Sequence, residues 1–405
     1  MTKPRSVVIT GLGCISSLGH NTTHFWDAIK SGRSEIGPSK YNFRAELNGA
    51  PIAEVHDYEP EDYFSSKSLK LLDRATQFAL IASKEALQSA GLETPLTHPG
   101  RTGIILGSSV TSRHTNDEVL EQYYKYNKPI SPLAIPKGLY NAAVSQTSMH
   151  HGITGPCWMV NTACASSNHA IGQAAELIRS NQADIVLTGG TDTPITVPFF
   201  KGWQALRILD PVTCRPFSKG RKGLILGEGA GVIVLEDEEH AKARSANIYA
   251  RLSGYGYSAD AHDLVKVSPT GASTAIKNTL SSAGLKPEDI DYISAHGTGT
   301  LLNDAVETQV IKDVFRSHAK NLLISSTKSM HGHALGASGA LELIATVLAL
   351  KEQLAPPTAN FSSPDCDCDL DYIPNEARHS SLNACISNAF AFGGLNAVLA
   401  VTKYT

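Results

Sequence analysis

Short β-branched runs alternate with longer helical stretches along this chain, and the alternation occurs twice. In the first half, residues 6–10, 102–106, 185–188 and 231–235 read as strands, and 73–90 and 166–180 as helices with an apolar stripe at helical spacing. The second half repeats the theme, with strands at 250–255, 290–295, 322–325, 384–387 and 397–402 and helices at 272–283, 305–315 and 339–350. The same helix stop closes a helix in each half, at Ala90-Gly91-Leu92 and Ala283-Gly284-Leu285. Such alternation specifies an α/β fold and says nothing of function. The halves meet near residues 236–247 with no Pro- or Gly-rich linker, so they are expected to share one interior. The expected units are 1–245 and 246–405.

At 405 residues, 42% hydrophobic and 18% charged, the chain can build a large core. Its formal net charge of -3 excludes the broad basic field that nucleic acid requires. Met1-Thr2-Lys3-Pro4-Arg5 runs straight into a strand with no apolar leader region, so no signal peptide is expected. The most apolar helical run, 341–350, contains Glu342 and is far short of the roughly 20 residues of a membrane span. Seven scattered cysteines, an odd number, fit a reducing cytoplasm better than a disulfide framework. Cys366 and Cys368 lie in an acidic loop with no second pair at metal spacing and read as loop thiols, so no metal site is expected. Residues 365–371 lack the spacing of a calcium loop. Gly11-Leu12-Gly13-Cys14-Ile15-Ser16 lacks the third glycine of a dinucleotide fingerprint.

Four segments carry chemistry. Val160-Asn161-Thr162-Ala163-Cys164-Ala165-Ser166-Ser167 puts a cysteine at the first turn of a helix, where unpaired N–H groups and the helix dipole favour the nucleophilic thiolate. A small buried cysteine among alanines would read the same way. Ser294-Ala295-His296-Gly297-Thr298-Gly299-Thr300 puts a histidine at the mouth of a strand, where α/β folds place ligands; a strand-capping histidine is the plainer reading. Lys328, His331 and His333 stand in a loop of Gly, Ser and Ala before a helix, which implies close backbone approach. Finally, Ser387-Asn388-Ala389-Phe390-Ala391-Phe392-Gly393-Gly394-Leu395-Asn396 places two aromatics in a glycine-ended turn between strands; a hydrophobic hairpin is its alternative.

In this order the four segments resemble the β-ketoacyl–acyl-carrier-protein synthase family, nearest the type II elongating synthases. The resemblance runs from Val7-Val8-Ile9-Thr10-Gly11-Leu12-Gly13 to Phe392-Gly393-Gly394-Leu395-Asn396, through Arg215-Pro216-Phe217-Ser218 and Leu226-Gly227-Glu228-Gly229-Ala230-Gly231. It implies a thiolase-like fold, two α/β halves in a five-layered α-β-α-β-α body. It also implies that Cys164 takes an acyl group as a thioester from carrier-protein phosphopantetheine. Malonyl-carrier protein then loses carbon dioxide, and the enolate, held by Nε2–H bonds from His296 and His333, attacks the acyl carbonyl. The oxyanion of that attack would rest on the backbone N–H groups of Cys164 and Phe392. Lys328 would order the site and bias histidine protonation, with Glu342 as its partner, since a charge on an apolar helix face wants one. Thr298 and Thr300 match the threonines that hold the pantetheine arm, and Phe390 and Phe392 a gate over the acyl channel. Lys67, Lys70 and Arg207 resemble a docking rim for an acidic acyl carrier protein, although solvated surface charges look the same. A homodimer is implied, a heterodimer with a related subunit is allowed, and no separate cofactor is expected.

The sequence departs from the family pattern at several places. Asn161 replaces an acid, Ala391 a glycine between the gate aromatics, Leu301 a proline and Leu395 a threonine. His331 replaces a threonine and gives Met-His-Gly-His, similar to a subgroup that makes nodulation-factor acyl chains and to relatives in secondary metabolism. Two rivals remain. A thiolase using coenzyme A would need a second catalytic cysteine, for which Cys385 is the candidate, yet it falls inside a predicted strand. A non-catalytic chain-length subunit would lack the nucleophile, whereas Cys164, His296 and His333 are all present.

Overall fold

Ten strands share one sheet in the computed structural model, which describes residues 5–39, 47 and 49–405. Met1 to Pro4, part of the stretch read for a leader, lie outside the described residues. The first half contributes β1 (Val7–Ser16), β2 (Thr102–Gly107), β3 (Cys157–Val160), β4 (Ile185–Asp192) and β5 (Gly229–Asp237). The second contributes β6 (Ala250–Ala259), β7 (Tyr292–Ser294), β8 (Leu323–Ser325), β9 (Ala384–Ala391) and β10 (Leu395–Thr402). Their order is β8-β7-β9-β10-β6-β1-β5-β4-β2-β3, so each half has the same connectivity. The pairing repeats too. β2 lies parallel to β3 and β4, as β7 does to β8 and β9, while the other neighbours within each half are antiparallel. The halves join edge to edge through two residue pairs of β1 and β6, Val8 with Arg251 and Ile9 with Ala250.

The helices are α1 (Thr22–Lys30), α2 (Arg74–Ser89), α3 (Arg113–Tyr126), α4 (Ala142–His151), α5 (Ser166–Arg179), α6 (Val197–Ala205), α7 (Pro269–Ala283), α8 (Leu301–Phe315) and α9 (Ser338–Glu352), with short helical turns between them. α2 and α4 cover the outer face of the first half, and α7 and α8 that of the second. α5 and α9 lie between the halves: α5 touches β2 and β4 but also β6 and β10, and α9 touches β5 and β9. The result is five layers, with α5 and α9 as the middle one. α9 is accordingly buried nearly all round, as a helix with no solvent face must be. One apolar cluster runs through both halves, from Val7 and Ile9 to Ile171, Leu341 and Leu399.

Local chemistry explains these elements. The Asp73 side chain caps α2 by accepting the Ala75 N–H at 3.0 Å, and Ala75, Phe78, Ala79, Ala82 and Ala86 form its buried stripe. Small residues on α2 meet glycines on β1. A Cβ at Gly11 would lie 2.1 Å from the Ala86 oxygen, and one at Gly13 2.1 Å from that of Ala82. This explains why β1 runs to Ser16 rather than ending at Thr10: the glycines sit within the strand, with a bulge between Ile9 and Gly11. The turn expected around Phe390 is shorter than the sequence reading gave it. Phe390 and Ala391 close β9, and only residues 392–394 turn, with Gly393 at φ 83° and Gly394 at φ 70°.

A methyl group at position 13 has nowhere to go. Gly13→Ala is expected to lower unfolding stability by about 1–3 kcal/mol, the usual range for overpacking, in urea titration. Gly37→Ala, where a Cβ meets nothing within 4 Å, is expected to change it little.

Candidate active site

The loops that follow β3, β7 and β8 converge where α5 and α9 begin. Cys164 lies two residues before α5, and the preceding Ala163 adopts φ 48°, an unfavourable conformation for a residue with a side chain. That turn is held by the Ser166 hydroxyl, which donates to the Ala163 carbonyl at 2.6 Å and accepts the Thr162 N–H at 2.9 Å. Cys164 Sγ stands 3.2 Å from His333 Nε2. The other ring nitrogen of His333, Nδ1, is 2.9 Å from Ser338 Oγ at the start of α9. A serine hydroxyl donating there leaves Nε2 carrying the proton and aimed at the sulfur.

His296 completes the set. Its ring centroid is 5.6 Å from that of His333 and 6.0 Å from that of Phe390. Its backbone is fixed from two sides: Glu307 accepts the His296 and Gly297 N–H groups at 2.8 Å each, and Lys328 Nζ donates to the His296 carbonyl at 2.7 Å. Glu307 also accepts from Asn388 Nδ2 of β9 at 3.1 Å. Lys328 is fully buried and ion-paired with Glu342, one turn into α9.

Electrostatics follow from burial. Burial pushes both the His296 and His333 imidazoles well below their usual range, and the Lys328 ammonium pushes them further. Both rings are therefore neutral near pH 7. Burial raises the Glu342 carboxyl to about 7 against the pull of Lys328. Burial also pushes the Cys164 thiol up to about 12, and Asp192 adds to the rise. Lys328 and the backbone N–H groups of Phe392 and Cys164, both directed at the sulfur, pull the other way. The standing thiolate expected from the helix start is thus not the resting state, because desolvation outweighs the N–H groups. The same two N–H groups are placed to receive an oxyanion formed on a carbon attached to that sulfur.

These groups open onto an apolar cleft lined by Cys164, His296, His333, Thr298, Thr300, Phe390 and Phe392, with Trp203, Ile208 and Leu224 among the rest. The Thr298 and Thr300 hydroxyls are 2.9 Å apart. Of the residues proposed for docking, exposed Arg207 adjoins the cleft residue Ile208, whereas Lys70 lines a separate groove with Lys128 and Lys137. Lys67 is exposed in the helical turn Ser66–Leu69. Cys385 is buried within β9 and does not line the cleft. His331 does not reach it either. It is buried, 2.9 Å from Thr327 Oγ1 through Nε2, with its ring centroid 6.1 Å from that of Phe25. Asp365, Cys366 and Asp367 have ligand atoms within 4.8 Å of one another, but Asp365 is paired with Arg221 at 2.6 Å. Sequence reasoning missed Ser338, Glu307 and Trp203, whose ring stacks on Phe392 at 5.7 Å and 22°. Only Glu307 left a trace, as an acid among buried positions nearly two turns into its helix.

Known proteins resemble the chain over its full length. The family models for the β-ketoacyl synthase N-terminal and C-terminal domains match residues 4–241 and 249–362. Nodulation protein E of Rhizobium sp. strain N33 is 45% identical over 401 residues, 98% of each chain. The 3-oxoacyl-[acyl-carrier-protein] synthase 2 of Coxiella burnetii is 40% identical over 408 residues, covering 98% of this chain and 99% of that one. Among solved structures, the ishigamide ketosynthase/chain length factor superposes with a TM-score of 0.93 at 34% identity, covering 99% and 100% of the two chains.

Two measurements test this arrangement. Lys328→Met leaves the Glu342 carboxyl buried without a partner, an expected loss of about 3–5 kcal/mol, and Lys328→Met/Glu342→Leu should recover part of it in a double-mutant cycle by urea titration. Alkylation of Cys164 by iodoacetamide is expected to keep accelerating from pH 7 to pH 10, since a thiol raised to about 12 gains thiolate throughout that range.

Proposed function

The chain belongs to the β-ketoacyl synthase family, and on that premise we propose that Cys164, His296 and His333 carry out the decarboxylative Claisen condensation of an acyl group with malonyl-acyl-carrier protein. The protein is an acyltransferase-class condensing enzyme, a 3-oxoacyl-[acyl-carrier-protein] synthase, and its carrier is an acyl carrier protein. The observation that carries the residue assignment is the 3.2 Å contact of Cys164 Sγ with His333 Nε2, beside a second neutral imidazole and beneath two N–H groups aimed at the sulfur.

Cys164 attacks the carrier thioester, the Cys164 and Phe392 N–H groups hold the tetrahedral oxyanion, and the pantetheine thiol leaves with the proton that Cys164 gives up. Thr298 and Thr300 bind the pantetheine arm along the cleft, and Phe390 and Phe392 guard the acyl side. Malonyl-carrier protein then occupies the emptied arm site and loses carbon dioxide. His296 and His333 donate to the enolate oxygen, a role that needs neutral, proton-bearing rings in a dry site. The enolate carbon attacks the acyl-Cys164 carbonyl, the Cys164 thiolate departs and takes up a proton from solvent, and the 3-oxoacyl chain leaves on the carrier. Lys328, held by Glu342, positions His296, and its charge adds to the burial that keeps the imidazoles neutral. Lys67, Lys70 and Arg207 form the docking rim. The phosphopantetheine belongs to the carrier substrate, and no other cofactor takes part. No helix among the described residues is long and apolar enough to cross a membrane, and we place the enzyme in the cytoplasm.

A dimer fits the surface. β3 is an edge strand, and from it through α4 to α3 run exposed apolar residues including Trp158, Met149, Tyr140, Tyr124 and Tyr123. A second copy, or a related subunit as in the ishigamide ketosynthase/chain length factor, would cover them.

Intact-protein mass spectrometry with short-, medium- and long-chain acyl-carrier proteins tests the reading. Wild type should gain one acyl mass and, given malonyl-carrier protein, release an extended product, while Cys164→Ala gains nothing. His296→Ala and His333→Ala should each lower condensation by about 10²–10³-fold. Failure of wild type to acylate on any carrier would sink the reading. The preferred chain distinguishes primary fatty-acid synthesis from a specialised polyene, polyketide or lipo-oligosaccharide route.

A further inference from the structure

Cys164 comes from the first half and His333 from the second, so the distance between them is set across the joint between halves. Three residues beyond His333, Gly336 is gripped by first-half side chains at both ends of its peptide unit. Its N–H donates to Asp192 Oδ2 at the end of β4 (2.7 Å) and to Ser109 Oγ (3.1 Å). Its carbonyl accepts from Ser167 Oγ, in the first turn of α5 and three residues beyond Cys164. Two residues beyond Gly336, Ser338 holds His333 Nδ1.

Asp192 is fully buried and receives only donors. Its Oδ1 accepts from Ser108 Oγ (2.5 Å) and the Val110 N–H (3.0 Å). Its Oδ2 accepts from the Ser109 N–H (2.9 Å), Ser109 Oγ (2.6 Å) and Gly336. No side chain is tolerated at the grip: a Cβ at 336 would lie 2.6 Å from the Ser109 nitrogen and 2.7 Å from Asp192 Oδ2. A carboxylate satisfied on every side and a glycine with no room for a methyl describe a fitted contact. It lies on the route from the nucleophile to its histidine.

We propose that Asp192 and Ser167 are positioning residues that hold the His333 loop in register with Cys164 through Gly336. The inference rests on the condensation reading above. It separates two reactions of that reading. Acyl transfer and condensation need Cys164 and His333 in register across the joint. Malonyl decarboxylation needs only His296 and His333, whose own holds lie outside the Gly336 contact: Glu307 and Lys328 fix the His296 backbone, Ser338 the His333 ring, and the Ile225 carbonyl and Gly227 N–H the His333 backbone.

Two variants of the full-length enzyme test this. Asp192→Asn turns an amide NH2 toward groups that themselves donate, and Ser167→Ala removes the other arm without leaving a buried charge. Each is expected to lower the rate of Cys164 acylation and the kcat of condensation by about 10–100-fold, the scale of an ångström-sized misplacement. KM for acyl-carrier protein and the decarboxylation of malonyl-carrier protein without an acyl donor should stay within about 3-fold. Iodoacetamide alkylation gives a further readout. Asp192→Asn removes a negative charge facing the sulfur while Lys328, His296 and His333 remain, so its pH profile should move to lower pH; that of Ser167→Ala should not move. An equal fall in both activities, or a fall in neither, overturns the proposal. If Asp192→Asn does not fold, the split or its absence in Ser167→Ala decides. A wild type that neither acylates nor decarboxylates overturns the condensation reading itself.

Discussion

One buried ammonium organises the chemistry of this fold. Lys328 reaches the Glu342 carboxylate on α9 and the His296 carbonyl after β7, so a single charge ties the middle helix layer to the loop that presents an imidazole. A charge in the middle of five layers is tolerable only with a partner, and the ion pair with the bond to the His296 carbonyl ties the three groups into one unit. The same charge, added to burial, keeps both imidazoles neutral. Lys328 thus fixes position and reinforces the protonation state that burial sets. Rings that stayed charged would bring counter-ions or water into an otherwise apolar cleft.

Much of this was legible because each segment of the candidate site is local. A cysteine before a helix, a histidine after a strand and a Gly-rich loop before a helix are all runs of under twenty residues. The twofold alternation of strand and helix likewise announced the α/β body. What stayed hidden has no period of its own. β3 is a four-residue edge strand with Trp158 half in solvent, so it shows neither alternation nor a continuous apolar run. In α3 only Thr115 is buried, and a helix that turns almost nothing inward carries no stripe. α8 begins at Leu301, four residues ahead of the predicted start, because Leu301 and Leu302 are exposed and so lie off the apolar face. Asp192 and Ser338 act through partners more than eighty residues away or through a loop conformation, and no spacing encodes either.

The departures from the family pattern look different once placed. His331 packs toward Phe25 of α1 and bonds within its own turn, so the Met-His-Gly-His variant alters the packing behind the loop and adds no reactive group to the cleft. Ala391 sits in extended backbone paired with Leu395, and the left-handed conformations of the turn fall on Gly393 and Gly394. The methyl at 391 therefore costs nothing in strain where it stands. Its influence is on which conformations the turn can move to. Asn161 donates to the Ser109 carbonyl at 3.3 Å, next to the Asp192 cluster rather than the nucleophile.

The repeated strand order has a mechanical consequence. β1 and β6 occupy the same place in their halves and pair antiparallel, so a half-turn about an axis between them carries one half roughly onto the other. Under that operation the loop before α5 answers to the loop before α9, and Cys164 and His333 approach each other from these matching loops, beside helices that touch. A pair placed so near a dyad sits like the rivet of a pair of scissors. A rotation of one half against the other about that axis would leave the separation of sulfur and imidazole nearly unchanged. Only a slide of one blade along the other would separate sulfur from imidazole.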